Sequence, residues 1–546
     1  MADDKAKEII QLRDRLKNLQ SNFRNLWQNT ADLIFPQTYP ILETHTPGHD
    51  LMSMVHDTTA IIESENMASG LSNNIMPPGQ LFYALRAGRK ELNDIQRVRR
   101  YLGYLTEQSH EALFNSNFIT QIDNVLQAWL TFGTGNVYSE WTVKTGLNFR
   151  EYPIGMYQCI ENAQGIIDTN IVTCKRTALQ CVEEWGRENV GEAIAKAYDN
   201  AEKQQDKFDI VWIVRPRRNR NGQMLDNMNM PWESVYVAET DKHTIFESGY
   251  PEYPFHTPRY KVMYGEVYGR GLGTMALRSV RYLNRLRKDF AEMSNKWVNP
   301  PREVLESVDG TYDVTPGAIN YVTQIPSSQA VFGEAKGAYP VGKDIIEYER
   351  EAIKEMFFKN VFETLAMLGK GDRRNELEII ERLKEGMKKL SKPIGRLFNE
   401  LFDSLITRSV LLLIRNGQLP QPPEELQGEG FKIEYHGPLA LALRDQQASA
   451  LMYWVNSLGA MQAIFPGIQD NVEYDKAARD LGDSLGVKTD HIRPLRERDE
   501  IRKMRAEEQA KREALEMAQI AAQGYGQITK APEPGSAAEQ VQEAIG

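Results

Sequence analysis

Four groups of residues in this 546-residue sequence have types and spacing that could do chemistry. The first is Gly265, Gly269, Gly271 and Gly273, in the run Gly-Glu-Val-Tyr-Gly-Arg-Gly-Leu-Gly. Glycines let a backbone close on a phosphate. The run lacks the GxGxxG spacing, however, and no GxxxxGK[ST] occurs. It therefore reads as a tight backbone turn feeding a helix that begins near Thr274. The second group is His45, His49 and His56 with Asp57, whose gaps could gather metal ligands. No cysteine accompanies them in this Pro/Gly loop, and ordinary surface histidines are the preferred reading, so no metal and no cofactor is expected. The third is Lys370, Arg373 and Arg374 in the loop 368–374, Leu-Gly-Lys-Gly-Asp-Arg-Arg, between two long helical stretches. Such a loop could touch a phosphate backbone through point charges, although a charge run is more often simply solvated. The fourth, Arg215-Pro216-Arg217-Arg218-Asn219-Arg220, joins two β segments and reads as an exposed hairpin tip. GxSxG and HExxH are absent, and Glu183–Glu184 and Glu507–Glu508 are helix neighbours that point apart. No catalytic residue is predicted.

The elements that must carry these groups follow from period and composition. With 41% hydrophobic and 26% charged residues, the chain is that of a folded protein with three or four modules. Lys and Arg number 65 against 75 Asp and Glu, a net charge of −10, which disfavours broad, tight gripping of nucleic acid. Cys159, Cys174 and Cys181 form no CxxC pair and read as reduced thiols. The longest aliphatic run, Val410 to Ile414, falls far short of the roughly 20 residues needed to cross a bilayer, and the charged N-terminus is not a secretory signal.

Ile9, Leu12, Leu16, Leu19, Phe23 and Leu26 repeat at 3-4-3-4-3 spacing, which predicts one helical stripe docked on its own domain. Further helices are expected over 58–71, 94–114 and 117–130. The period then shortens to that of strands over 136–142, 147–152, 166–175, 208–216 and 235–239, with a helix over 177–203 between them. Helices are predicted again over 274–298, 343–366, 375–415 (kinked or broken at Pro393) and most of 439–522. The Gly/Ala/Pro/Gln-rich segment 523–546 reads as a disordered tail. The fold class is mainly α with a small mixed α/β or SH3-like β unit.

The order of motifs is more informative than any one of them. Trp27-x-x-x-Ala31-x-x-x-Phe35-Pro36 is followed by Asp57-Thr58-x-Ala60, by Ala68-Ser69-Gly70-Leu71 and by Met76-Pro77-Pro78-Gly79. Leu113-x-x-Ser116-Asn117-Phe118 and Gly133-x-Gly135-Asn136 come next. Then follow Tyr264-Gly265-Glu266-x-Tyr268-Gly269-Arg270-Gly271, Leu283-Asn284, Val298-Asn299-Pro300-Pro301, Gly417-x-Leu419-Pro420 and Gly437-Pro438-Leu439-Ala440. In this order the chain resembles the head-to-tail connector (portal) family of short-tailed bacteriophages. It departs from the family at Arg374-Asn375-Glu376-Leu377-Glu378, where a Thr-Ala-Thr-Glu-Val-like segment is common.

The resemblance implies a ring of about twelve copies around a DNA channel, with no enzymatic activity and no membrane partner. It implies a wing (1–273), stem helices (274–299 and 343–367) flanking a clip (300–342), a tunnel loop (368–374), a kinked helix and wing return (375–438), crown helices (439–522) and the tail. Lys370, Arg373 and Arg374 would then be DNA-facing. The implied partners are double-stranded DNA, the terminase large subunit, a tail adaptor or head-completion protein, the major capsid and scaffold proteins, and internal core proteins. The implied location is the capsid vertex of the virion, after assembly in the host cytoplasm. The competing readings are a metal-dependent enzyme acting on nucleic acid, which needs clustered carboxylates, and a helical scaffold built on the stripe from Ile9 to Leu26.

Overall fold

The computed structural model describes residues 2–38, 40–42, 46, 48–224, 226–298, 302–305, 315, 318–322, 338–359, 361, 389–437, 439, 451–459, 461, 465, 467–484, 493 and 495–528. Two units emerge from its internal packing. The first comprises Met1–Leu85, Leu102–Pro422 and Ile433–Leu443; the second comprises Arg86–Tyr101, Pro423–Lys432 and Arg444–Gly546.

The chain opens with helices α1 (Ala2–Leu19), α2 (Ser21–Ile34) and α3 (Thr59–Ile75), then strand β1 (Tyr83–Ala87). Helices α4 (Gln96–Phe114) and α5 (Phe118–Phe132) follow. Next come strands β2 (Val137–Thr142), β3 (Gly146–Glu151), β4 (Tyr157–Glu161) and β5 (Ile167–Thr177). Helices α6 (Ala178–Trp185) and α7 (Glu192–Asp199) interrupt the strands, which resume as β6 (Lys207–Pro216), β7 (Trp232–Ala238), β8 (His243–Tyr250) and β9 (Phe255–His256). After α8 (Leu272–Val298), the short strands β10 (Arg302–Leu305) and β11 (Ile319–Val322) pair in parallel before α9 (Ala338–Met356).

Strands β4 to β8 form an open antiparallel sheet in sequence order, and β3, β2 and β9 form a second, also antiparallel. Neither closes into a barrel among the described residues, so the β unit is mixed and sheet-like rather than SH3-like. The alternation of side chains along each strand gives the large sheet two buried faces. Ile171, Val211, Ile213, Val235 and Val237 meet Ala6, Ile9 and Ile10 of α1. Val172, Trp212 and Val214 face the other way, into an aromatic core with Trp27, Phe132, Tyr138, Tyr157, Phe255 and Tyr268. In that core Trp212 stacks on Tyr236 at 5.0 Å.

Several sequence expectations need correction. The predicted stripe from Ile9 to Leu26 is two helices. Its first part is docked on the sheet, but the helix breaks at buried Gln20, whose side-chain amide donates to the Tyr157 carbonyl at 3.2 Å, and Leu19 is left exposed. The predicted helix 177–203 is also two. Thr177 and Gln180 form a reciprocal cap at the start of α6, and Gly186, at φ +82°, ends it. Helix α9 ends at Met356, where a turn interrupts the helix expected over 343–366: Phe358 takes φ +56°, and its amide donates to the Glu355 carbonyl. Lys359 and Val361 are helical again, and the rest of that stretch lies outside the described residues. Residues 389–397 are helical without a break at Pro393, and the departure comes later, as a π-helix over Phe398–Asp403 that leads into α10 (Ser404–Arg415). Strand β12 (Phe431–Tyr435) then returns Tyr435 to stack on Phe398, ring centroids 4.2 Å apart. In the second unit, α11 (Tyr474–Ser484) is held to α12 (Leu495–Ile528) by Asp475, which accepts from Arg498 at 3.0 Å and Arg502 at 2.6 Å. Helix α12 thus continues past Gln523, where a disordered tail was expected to begin.

Candidate functional site

The glycine run proves to be a packing device. Gly133, at φ +93°, ends α5, and the segment around residues 258–271 crosses it at backbone distance. A Cβ on Gly269 would lie 2.2 Å from the Gly133 carbonyl oxygen, and one on Gly271 would lie 2.5 Å from the Gly133 nitrogen. The amide of Tyr260 donates to the Gly133 carbonyl at 2.8 Å, and the amide of Gly269 to the Thr134 hydroxyl at 2.9 Å. No room remains for a phosphate. The crossing fixes where α8 starts, two residues before Thr274.

Helices α8 and α9 lie side by side, with Gly342 near the start of α9 against Phe290 near the end of α8. A carboxylate pins them together. Asp57, its side chain 3% exposed, accepts from Arg350 Nη2 at 2.8 Å and Nε at 3.0 Å, with Arg287 of α8 at 3.6 Å. Asn284 of α8 completes the junction. Its Oδ1 accepts from the amides of His56 and Asp57, and its Nδ2 donates to the Met54 carbonyl at 2.9 Å. Burial alone would raise the Asp57 pKa, but hydrogen bonds from Thr59 and the Arg350 guanidinium outweigh it and hold the carboxyl below its ordinary value. Asp57 was grouped with histidines in the sequence; the structure gives it to two arginines instead.

A second junction reverses the signs. Arg259, 5% exposed, donates to Glu400 of the π-helix at 2.8 Å, to Glu161 at 2.9 Å and to the Gly165 carbonyl at 2.7 Å. Its backbone amide also meets Glu400, at 2.8 Å. Burial lowers the Arg259 pKa, yet Glu400 and Glu161 more than compensate and hold it above its ordinary value. Beside it, His256 spans two hydroxyls, Nε2 to Ser139 Oγ at 2.9 Å and Nδ1 to Ser404 Oγ at 2.7 Å. Arg408 Nε donates to Ser139 Oγ at 3.1 Å, and Ser404 Oγ donates to the Glu400 carbonyl at 3.2 Å. The donor order that satisfies every group runs from Arg408 through Ser139 to His256 Nε2, then from His256 Nδ1–H to Ser404 and on to Glu400. Burial, with the nearby Arg408 charge, lowers the imidazole to about 3, so His256 is neutral. Nothing in the sequence flags this hub, because the segments it joins lie 94 to 269 residues apart.

The remaining sequence candidates divide. Lys370, Arg373, Arg374 and His45 lie outside the described residues. His49 and His56 are exposed on the loop before α3. Among the described residues, no three His, Cys, Asp or Glu side chains converge as metal ligands, and no helix is long and apolar enough to cross a membrane. The basic stretch after β6 is only partly a hairpin tip. Arg215 pairs with Glu8 and Glu233, and Arg217 with Glu247 at 2.9 Å, because the strand end brings them over neighbouring acidic positions. Arg218 and Arg220 are exposed. All three cysteines are buried and free.

The glycine crossing, the α8–α9 pair and the π-helix all fall within residues 6–492, which match the family model described as bacteriophage head to tail connecting protein. The chain belongs to this family. It is 26% identical to the portal protein of Salmonella phage epsilon15 over 533 residues, covering 96% of this chain and 95% of that one. It is 24% identical to the probable portal protein of Bordetella phage BPP-1 over 541 residues, covering 97% and 96%. A head-to-tail connecting protein holds two structures together, so residues that fix its elements against each other are of interest. The Asp57 and Arg259 junctions are two of the described polar centres that do this.

Proposed function

We propose that this chain is the portal subunit of a short-tailed bacteriophage: about twelve copies close into a ring at one capsid vertex. The ring nucleates the procapsid, passes DNA inward during packaging and outward on ejection, and docks first the terminase motor and then the tail. What supports this most is the near end-to-end likeness to a portal protein and a probable portal protein, each matched over at least 95% of its length. In this reading 1–273 is the wing, α8 and α9 belong to the stem on either side of a clip at 300–342, 368–374 is the tunnel loop, 375–438 returns to the wing, and 439–522 is the crown. Chemistry on ATP is left to the motor, and the subunit itself is a conduit.

The charge suits that task. A duplex carries about one negative charge per 1.7 Å, and a wall that neutralised many phosphates would hold DNA in place. A chain of net charge −10 with a few local cations avoids this, and ring symmetry turns each of Lys370, Arg373 and Arg374 into a belt. Native mass spectrometry tests the ring directly: subunits of 62.4 kDa should assemble into a closed particle of about 750 kDa, twelve copies in cyclic symmetry, with a central hole in negative stain. A chain that remains monomeric across all concentrations and in the presence of its capsid partners contradicts the reading. Replacing Lys370, Arg373 and Arg374 together with Ala should leave ring mass unchanged and reduce packaged DNA; normal packaging would remove the DNA-facing role.

A further inference from the structure

Helices α8 and α9 each turn a charged face to solvent, and the two faces have opposite signs. On α8, Arg278, Arg281, Arg285 and Lys288 are all exposed. Their 3-4-3 spacing makes one stripe, about 15 Å long at 1.5 Å per residue. The buried side of α8 carries Ala276, Val280 and Leu283, and the stripe is centred roughly two-fifths of a turn away from it. On α9, Asp344, Glu347, Glu351 and Glu355 are all exposed. They span about 16 Å on the side opposite the buried Ile346, Ile353 and Phe357.

Little within the subunit neutralises either stripe. Among the described residues, Arg278, Arg281 and Lys288 have no ion-pair partner, and Arg285 reaches only Asp289 of its own helix, at 3.8 Å. Asp344 and Glu355 are likewise unpaired among the described residues, while Glu347 and Glu351 meet only Arg350 and Lys354 of their own helix. Each stripe is also flanked by an exposed aromatic ring, Tyr282 at 49% and Tyr348 at 73% exposure. A purely solvated helix face mixes its charges so that i,i+4 pairs form. Apart from Asp289 and Glu292 at the C-terminal end of the basic stripe and Arg350 and Lys354 beside the acidic one, the signs are segregated over similar lengths, each beside a large exposed ring, which suits an encounter between the two faces.

The geometry points to a second copy of this chain as the occupant: the cationic face of α8 in one subunit lies along the acidic face of α9 in the next. The two patches are different, so the contact is head-to-tail and propagates until the rotation closes it into a ring. The inference rests on the ring reading above and adds which surfaces close the ring. The desolvated charges would set register and orientation, with the tyrosines supplying apolar contact.

Charge reversal tests it with the full-length chain. One variant carries R278E, R281E, R285E and K288E; a second carries D344K, E347K, E351K and E355K; a third carries all eight. Circular dichroism melting first confirms that each subunit is folded, which these exposed positions should permit. The expected result is that each four-residue variant sediments mainly as monomer at a concentration where the unaltered chain forms rings. The eight-residue variant, or a one-to-one mixture of the two single-face variants, should recover ring mass. Raising salt from 0.1 to 1 M should weaken the wild-type ring, as screening shortens from about 10 to about 3 Å. If the unaltered chain forms no ring, the ring reading fails and this inference falls with it. If it does and either single-face variant still closes rings normally, only the pairing of the stripes is overturned. Rings of normal mass that lose DNA on reversal of the α8 face would likewise overturn the pairing and assign that stripe to nucleic acid. Loss of rings in both folded single-face variants without recovery in the eight-residue variant or the mixture would show that the stripes do not meet each other.

Discussion

The Asp57 and Arg259 junctions solve the same problem with opposite signs. Each holds distant segments together through one buried ion. At the first, an anion sits 3% exposed between Arg350 and Arg287, whose side chains are 30% and 37% exposed. At the second, a cation sits 6% exposed between Glu161 and Glu400, at 31% and 22%. A guanidinium stays charged at any pH the protein meets, and a carboxylate does not. The hub under the π-helix is therefore built on a central ion that acid cannot remove, and acid reaches it instead through its Glu161 and Glu400 partners and through His256. The α8–α9 hub depends on a carboxylate whose depressed pKa defers, but does not abolish, its loss in acid.

The largest expected effect comes from removing the buried cation. Arg259→Met keeps an unbranched apolar stem and leaves Glu400 and Glu161 without their shared partner. Stranding one side of a buried pair costs about 3–5 kcal/mol. Urea titration at matched protein concentration should show that loss, because assembly would otherwise shift the midpoint. A variant within 1 kcal/mol of wild type would mean the hub is not structural. The next effect depends on pH. The folded pKa of His256 is lowered to about 3 from 6.5, so between those values the unfolded chain binds a proton that the folded chain refuses. Stability contributed by neutral His256 is present in full above 6.5 and is lost as pH falls from 6.5 towards 3. The slope is at most about 1.4 kcal/mol per pH unit. His256→Gln should flatten the acid limb of the stability curve in that window, and an unchanged limb would remove His256 from the acid response.

What was legible in the sequence follows the range of the forces involved. The helix over 274–298, the breaks at Met76-Pro77-Pro78-Gly79 and the strands at 137–142, 167–177 and 207–216 are signalled by local period and local stop residues, and lie within a few positions of expectation. Strands β4 and β8 were missed: β4 is short, and β8 has only one fully buried position, so neither shows a clear alternation. The stripe from Ile9 to Leu26 was read as unbroken because Gln20 and Tyr157 are 137 residues apart, and only that bond rewards the break. The reading of Gly265 to Gly273 as a turn needed only motif spacing. What the turn packs against, the end of α5 at Gly133, needed the fold. The same holds for both hubs: Asp57 and Arg259 look like ordinary charged residues until partners 94 to 293 positions away arrive.

The smallest expected effect, and the one that separates the hubs most cleanly, is Asp57→Asn. The amide keeps the shape and can still accept from the Thr59 amide, but it leaves Arg350 and Arg287 with a neutral partner. Because both arginines are about a third exposed, water recovers much of the loss, and a cost of about 1–2 kcal/mol is expected near neutral pH. The sign of its pH dependence is fixed by the lowered pKa. The stability that ionised Asp57 contributes is present above its unfolded pKa, near 3.8, and is lost as pH falls through the lower folded value. Wild type and Asp57→Asn should therefore differ at pH 7 and converge below the carboxylate range, whereas Arg259→Met should keep part of its deficit there, because Arg259 also donates to the Gly165 and Val267 carbonyls, which do not titrate. If the two variants tracked each other across pH, the contrast between an anion-centred and a cation-centred junction would fail. If only Asp57→Asn converged fully, α8 and α9 would be held by a contact that strong acid loosens, and the hub at Arg259 by one whose carbonyl contacts outlast its carboxylates.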